Sequence, residues 1–342
     1  MNKKAAILKN VFLPAALLVL FFSCATSVRV QVTKPPLTDM SGVQRIAVAP
    51  FDLAYNKTDS GQLNTVYQRF FSPANKYNTR LEEQAAQALT TAVTDKLLAS
   101  NAFVVISQDQ LARAGNTQGG YASVVDAYLT GEINLLSART LENVSEVSSS
   151  NDSLTKIYTA ERVVTLDFTY RFIRADNGRI ISQVTKSGTA SDRKEDTDIL
   201  NVRTSLMSEL DLVRMIINDE LALFSREIAP WTAVEHRYFE KDKTKDPRMK
   251  EADTLVKNGS YADAREIFSE VYAENGNFAA GYNAALLTEL LGNTGGAIAL
   301  MQDLYTSTGD SKAKSELDRM TESLKDEETL RREYSPGTQD GE

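Results

Sequence analysis

The sequence predicts an α/β domain, in which a mixed sheet packs with helices, followed by an all-α domain of paired helices. Three observations support this prediction. Residues 162–173 alternate apolar and polar side chains, which is typical of a half-buried strand. Residues 79–100 and 202–228 instead place apolar side chains at every third or fourth position, as one face of a helix does. Beyond residue 249, the helical spacing itself recurs at a fixed step of 33 residues.

The N-terminus has the pattern of an export signal. An apolar run, Val11–Phe22, follows a basic start and is too short to span a bilayer as a mature helix. Cys24 is the only cysteine, and it stands where a lipoprotein signal peptidase would leave it at the new N-terminus. We therefore predict a signal peptide at 1–23 and a lipid anchor on Cys24, the alternative being an ordinary signal with an incidental cysteine. Residues 21–23 read Phe-Phe-Ser, a loose lipobox that resembles those of spirochaetal lipoproteins.

Composition excludes several classes of site. Removing the signal peptide takes away three lysines and no acid, which leaves 35 basic and 46 acidic residues and a net charge of −11. This balance argues against nucleic acid or an anionic lipid surface as the main partner. His236 is the only histidine, so sites that need two histidines, or histidine with a free cysteine, are excluded. We expect no catalytic set, no cofactor and no metal site, and we place His236 at the surface or a domain junction.

Two short motifs suggest chemistry that their context does not support. Ser153 and Lys156 match the S-x-x-K motif of penicillin-recognising enzymes, and Lys186 with Gly188 resembles the K-T-G strand. The two motifs lie 33 residues apart on neighbouring hairpin segments, without the helical domain that this chemistry needs. A peptidoglycan-acting enzyme is therefore a remote alternative. The acidic run at 191–198 lacks the glycine and glutamate of a calcium loop, so we predict a solvated turn before a helix.

The first domain is expected to span 43–230, after a lipidated tether at 24–42 that contains Pro35-Pro36. Short apolar or alternating runs predict its strands, and Asn177-Gly178 predicts a hairpin turn. Residues 54–78 are polar and predict a loop. The predicted elements are strands at 45–51, 103–107, 127–138, 162–173 and 179–191, a short helix at 108–115, and long helices at 79–100 and 202–228, the last stopped by Pro230.

The C-terminal part, 249–331, resembles a pair of tetratricopeptide repeats with a capping helix at about 311–331. Small and large apolar residues match at the step of 33, as in Ala264 with Ala297 and Phe268 with Met301. A charge-rich connector at 231–248 would precede the repeats, and the tail at 332–342 would be flexible.

The first domain also resembles a known family. The runs RIAVAPF, LTTAVTDKLLASNAFVVISQDQL, VVDAYLTGEI and VVTLDFTYRFIRADNGRIISQ, between residues 43 and 228, are similar to the CsgG-like family of curli secretion and to lipoprotein activators of penicillin-binding proteins. This resemblance implies a CsgG-like α/β sandwich that is tethered in the periplasm and assembles with itself or contacts an envelope machine. The family supplies no catalytic residues to transfer to this chain.

Two functions are open within that resemblance. The first is a non-enzymatic envelope adaptor that binds a protein partner, anchored at the periplasmic side of the outer membrane. Ala25, directly after the cysteine, favours the outer membrane under enterobacterial sorting rules. The alternative is a subunit of a CsgG-like secretion pore, which would need an apolar face on each inserted hairpin. Neither candidate hairpin has such a face, so we prefer the adaptor. Tyr282 and Asn283, with Lys250 at the matching position of the first repeat, are the predicted residues for binding a peptide or helix in the repeat groove. The alternative is that Asn283 caps or hydrogen-bonds a neighbouring loop and that Lys250 is solvated.

Overall fold

The computed structural model describes residues 26–54, 62–71, 77–115, 120–148 and 154–334. The chain divides into two compact units. We call Val32–Ala233 with Lys325–Glu342 the α/β unit, and Met1–Gln31 with Val234–Leu324 the helical unit. The predicted signal peptide and Cys24 lie outside the described residues, as does the tail from residue 335.

Strands and helices follow one another along the chain in the order that an α/β domain followed by a helical domain requires. The strands are β1 (Ser27–Lys34), β2 (Arg45–Val48), β3 (Asp52–Leu53), β4 (Val104–Ile106), β5 (Ala127–Ser148), β6 (Leu154–Arg174), β7 (Ile180–Asp196) and β8 (Trp231–Tyr238). The helices are α1 (Gln62–Phe71), α2 (Arg80–Ser100), α3 (Gln108–Ala114), α4 (Ile199–Ser205), α5 (Glu209–Glu220), α6 (Phe224–Ile228), α7 (Pro247–Lys257), α8 (Tyr261–Asn275), α9 (Phe278–Leu290), α10 (Thr294–Thr308) and α11 (Ser311–Tyr334).

The α/β unit is built on a mixed sheet, as predicted. Its strand order is β4-β2-β5-β6-β7, with β3 paired to β5 outside this path. Strand β2 runs parallel to β4 and β5, whereas β5, β6 and β7 are antiparallel neighbours. Strands β5 and β6 pair from Ala127–Arg174 to Ser148–Leu154, with one shift of register between Ile133 and Leu135, so both are longer than the sequence predicted.

Helices α2 and α5 cover one face of this sheet. The apolar side chains of β6 that the alternation placed on one face are all buried there, and they are Val164, Leu166, Phe168, Tyr170 and Phe172. Leu89 and Val93 of α2 and Leu212 and Ile216 of α5 pack in the same cluster. The opposite face of β5, β6 and β7 carries mostly Thr, Ser and charged side chains. The sheet is therefore half-buried, as its sequence pattern indicates.

Two predicted segments differ from the structure. The polar segment 54–78 contains helix α1, so the prediction of a loop there was wrong. The helix predicted at 202–228 is three helices, because residues 206–208 and residues 221–223 interrupt it. The Ser208 side chain accepts a hydrogen bond from the backbone N–H of Asp211 and so caps a new helix, α5. The apolar spacing continues across this break, which is why periodicity alone did not reveal it.

In the helical unit, α7–α8 and α9–α10 form two helix pairs and α11 follows. Gly259 and Gly292 stand between the helices of each pair with φ of 81° and 87°, a backbone region that side chains with a Cβ rarely adopt. The small and large apolar residues that matched at the step of 33 are fully buried, and they are Ala264, Phe268, Val271, Ala297, Met301 and Leu304. The predicted final helix begins at Ser311 and continues to Tyr334.

The predicted tether and connector both contain regular structure. Strand β1 lies within 24–42, strand β8 lies within 231–248, and the two form a separate two-stranded sheet. The predicted tether and the charge-rich connector thus each contain a strand. About 200 residues separate the two strands along the chain, so no local sequence pattern predicts that they pair.

Candidate functional site

Cys24 lies just outside the described residues, and the folded chain begins almost at once after it. The carbonyl oxygen of Thr26 accepts a hydrogen bond of 2.9 Å from the backbone N–H of Phe239. Val28, two residues further on, packs against the core of the helical unit. Two residues of chain span at most about 7 Å. The described chain therefore contacts the helical unit from Thr26 onwards, two residues after the predicted lipid-bearing Cys24.

Asn283, one of the predicted partner-binding residues, lies on α9 and is fully buried. Its side-chain oxygen accepts a hydrogen bond of 2.8 Å from the backbone N–H of Glu240. Its side-chain nitrogen donates a bond of 2.9 Å to the carbonyl oxygen of the same residue. The oxygen and the nitrogen of the Asn283 side chain thus both bond the backbone of Glu240, as they were predicted to bond the backbone of an extended peptide.

A second asparagine fixes the segment that follows Glu240. The Asn277 side chain donates to Asp242 at 2.8 Å and to Thr244 at 3.0 Å, and its oxygen caps α9 through the N–H of Ala280. Burial alone raises the pKa of Asp242, but hydrogen bonds from Thr244 and Asn277 outweigh it and hold that pKa below its ordinary value. Residues 239–246 are therefore tied to α9 at both ends of the segment.

The other two predicted residues have different surroundings. Tyr282 is 9% exposed, packs near Phe278, and has its pKa raised by burial and by the charges of Glu316 and Glu240. Lys250 is exposed on α7 and lines an open cleft of about 460 Å³ between residues 239–257 and Thr26. The structure thus brings Asn283 and Tyr282 together at Glu240 and leaves Lys250 in the cleft. Whether the three residues bind a partner stays a prediction.

Sequence analysis missed a buried ion cluster in the helical unit. Glu289 on α9 accepts from Arg237 of β8 at 3.1 Å and 3.2 Å, and from Arg319 of α11 at 2.8 Å. Arg237 is 3% exposed and also pairs with Glu235. One carboxylate therefore joins three elements. The sequence signal was present, since an arginine on an otherwise alternating strand is unusual, but its partners are distant in the chain.

A second buried cluster lies in the α/β unit. Glu132 of β5, which is 2% exposed, accepts from Arg171 at 2.6 Å and lies 3.9 Å from Arg69 of α1. Arg69 also donates to the carbonyl oxygen of Gly131 at 2.7 Å, and burial lowers its pKa. The nearby Tyr77 hydroxyl has its pKa raised to about 12, first by burial and then by the charge of Asp52. Because Glu132 and the carbonyl oxygen of Gly131 both contact Arg69, the cluster fastens α1 to the sheet.

The enzyme-like motifs do not come together. Ser153 lies outside the described residues. Lys186 is opposite Phe168 on β6, twelve residues from Lys156, which corresponds to about 40 Å along the strand. Lys186 also forms an ion pair of 2.9 Å with Glu227. Among the described residues there is no group of three or more His, Cys, Asp or Glu side chains that could hold a metal ion.

Two other sequence predictions concern single residues. His236 is exposed on β8, where its ring stacks on that of Tyr238, in agreement with the surface placement. In the acidic run predicted as a solvated turn, residues 191–196 instead belong to strand β7, and only residues 197–198 form the turn, where the Asp198 side chain accepts from the N–H of Leu200 and caps α4. Across the part of the chain that the structure describes, no helix is both long and apolar enough to cross a membrane.

No protein-family model and no curated protein matches the sequence. Among solved structures, the PelC dodecamer of Paraburkholderia phytofirmans covers 60% of this chain and 99% of its own, with 13% identity and a TM-score of 0.27. A minor lipoprotein of Acinetobacter baumannii covers 56% and 96%, with 13% identity and a TM-score of 0.25. A lipoprotein of Neisseria meningitidis covers 53% and 98%, with 13% identity and a TM-score of 0.19. At these scores the likeness supports no conclusion about family or function.

Proposed function

We propose that this chain is a non-enzymatic, lipid-anchored adaptor of the bacterial envelope that captures a protein partner at the free edge of its sheet. The anchor is Cys24, and the expected location is the periplasmic side of the outer membrane. The export signal and the single cysteine support the anchor. The paired state of the buried ionisable clusters supports a binding role rather than catalysis.

The observation that carries the proposal is the edge strand β7. It is 17 residues long and stands last in the strand order, so within the described residues it has a hydrogen-bonded strand on one side only. A long strand with an unpaired edge is a template on which an extended segment of another protein can add a strand. Main-chain hydrogen bonds then supply affinity, and alternate side chains supply specificity.

The side chains of β7 suit a reversible protein contact. Its outer face is exposed and polar, and the hydroxyls of Thr185 and Thr189 lie 2.9 Å and 3.0 Å from those of Thr169 and Thr165 on β6. The strand also carries both signs of charge toward its end, in the run Asp192–Asp196. Such charges discourage indiscriminate strand pairing, while a partner with matching charges can still pair.

The repeat groove is a second candidate surface, but a peptide could use Asn283 there only after part of this chain had moved. Asn283 already holds Glu240, so a peptide that used this asparagine would have to displace residues 239–246. For this reason we place protein capture on β7 first. We also propose that the helical unit is of tetratricopeptide type, supported by the step of 33, and that the α/β unit is a CsgG-like sandwich, supported by its order of elements.

Photo-crosslinking in the native envelope tests the adaptor proposal. A photoreactive amino acid replaces Thr185 or Thr189 in separate variants, and Gln302, an exposed residue of α10, serves as the matched control position. We expect both β7 positions to give an adduct with the same partner protein and the control to give none. Adducts from Gln302 alone would contradict the placement on β7.

A second measurement addresses the pore alternative. The purified acylated chain is added to planar bilayers, and its oligomeric state is examined by electron microscopy. The adaptor proposal predicts no single-channel conductance. Ring-shaped oligomers that conduct ions would replace the adaptor by a secretion-pore subunit.

A further inference from the structure

The cleft that includes Thr26 is lined by four lysines and four acids, so it is less acidic than the chain as a whole. Lys245, Lys250 and Lys257 line the cleft that also includes Thr26, and all three lysines are exposed. We call these three residues the lysine rim. None of them forms an ion pair with another described residue, so their ammonium groups face solvent.

The acids of the same cleft are directed toward their own chain. Glu240, Asp242 and Asp246 each have a partner within the chain. The pKa of the fourth acid, Asp253, is raised by burial. The partners are Lys312 for Glu240, Thr244 and Asn277 for Asp242, and Arg248 for Asp246. Glu240 and Asp246 each form a salt bridge within the chain, so the three lysines of the rim outnumber the two remaining acids of the cleft.

Chain geometry places this cleft beside the membrane. Cys24 is two residues from Thr26, which corresponds to about 7 Å of extended chain. Thr26 is itself bonded to Phe239 in the cleft wall. Electrostatic interactions in physiological salt extend over about 8 Å. A lipid inserted at Cys24 would thus hold the cleft at the distance over which headgroup charges act.

We propose that the lysine rim binds anionic phospholipid headgroups of the membrane that holds the anchor. This inference rests on lipid attachment at Cys24 in the proposed function. The net charge of −11 does not oppose it, because charges farther from the bilayer than the screening length contribute little. The rim would fix the orientation of the helical unit relative to the bilayer. With the lipid chains alone, the unit would be free to rotate about its anchor.

The test uses the mature chain from Cys24, coupled through its only thiol to a single palmitoyl-maleimide. One acyl chain gives only marginal, reversible membrane binding, so a contribution from the rim becomes measurable. Partition is measured on phosphatidylcholine vesicles with and without about 30% phosphatidylglycerol. We expect anionic lipid to strengthen partition by about tenfold or more, since basic residues near an anionic surface each add to binding.

Two triple variants separate the rim from general charge. The rim variant is Lys245→Gly, Lys250→Gln and Lys257→Gln, where glycine suits the φ of 64° at position 245. The matched control replaces Lys96, Lys156 and Arg139 of the α/β unit by Gln. We expect the rim variant to lose most of the preference for anionic vesicles and the control to keep it. Circular dichroism melting curves of all three proteins must agree.

Equal partition of the wild-type chain on both vesicle types would overturn the inference. An equal loss in both triple variants would overturn it as well, because the rim would then have no special part. The chemical coupling makes this test independent of acylation in cells. Failure of the anchor itself would instead appear as palmitate incorporation that persists in a Cys24→Ala variant.

Discussion

Replacing Asn283 by Ala should release the segment that follows β8 from α9. The change removes the two hydrogen bonds to Glu240, of 2.8 Å and 2.9 Å, from a fully buried site. Each such bond contributes a net ~0.5–1.5 kcal/mol, and unpaired groups left in a part-buried site add to the loss. We therefore expect the free energy of unfolding to fall by about 2–4 kcal/mol. The Asn283→Asp variant should lose at least as much, because it buries a carboxylate and turns one of its oxygens toward the carbonyl oxygen of Glu240.

Hydrogen exchange measured by mass spectrometry localises the effect. A loss of about 2 kcal/mol in the stability of the segment corresponds to roughly 30-fold faster exchange of its amides. We expect this acceleration in residues 239–246 and not in β6. Gln302→Ala, which removes only an exposed hydrogen bond to Thr306, is the matched control. Unchanged exchange in 239–246, with a melting temperature equal to that of the control, would refute the role assigned to Asn283.

Three further changes test other parts of the account. A Cβ on Gly131 would lie 2.1 Å from the buried ring of Phe51, so Gly131→Ala should cost about 1–3 kcal/mol in thermal unfolding, whereas Gly295→Ala, which meets open space, should cost nothing. Burial raises the pKa of Asp126, but its ion pair and hydrogen bonds with the start of β2 outweigh this and lower it. Because the pKa of Asp126 is lower in the folded state, this stabilisation is present above the unfolded value of about 3.9 and is lost as pH falls below it. The melting temperature of Asp126→Asn should therefore depend less on pH than that of the wild type between about pH 5 and about pH 3. Cys24→Ala should abolish incorporation of labelled palmitate, because the chain has no other thiol.

The sequence predicted helices well where apolar spacing and capping agree. Helix α2 begins one residue after Thr79, whose side chain accepts from Glu82 in a capping box, and it ends at Ser100, as predicted. Helix α1 was missed because ten helical residues stand between polar, loop-like flanks. The start of α5 could have been recognised from Ser208 and Asp211, which match a helix-start pattern, but the apolar spacing on both sides masked it.

The partners of the buried polar residues at the candidate site could not be predicted, because they are distant along the chain. Asn283 was singled out by its position in a repeat, and in the structure it is buried and hydrogen-bonded to its own chain. Its partner, Glu240, lies 43 residues away, and no local pattern indicates that pairing. The same holds for Glu289 with Arg237. Local periodicity predicts which face of an element is buried, whereas the packing of distant elements decides what each buried polar group meets.

Capture of a partner strand at β7 is the central claim, and hydrogen exchange of β7 in the captured complex tests it most directly. The partner identified by photo-crosslinking is purified with the mature chain, and exchange is compared between the complex and the free chain. Strand addition would protect the outward-facing amides of Ile180–Asp196 by about tenfold or more, because they would gain main-chain hydrogen bonds. Exchange in β7 that is the same in the free chain and in the complex would contradict the account.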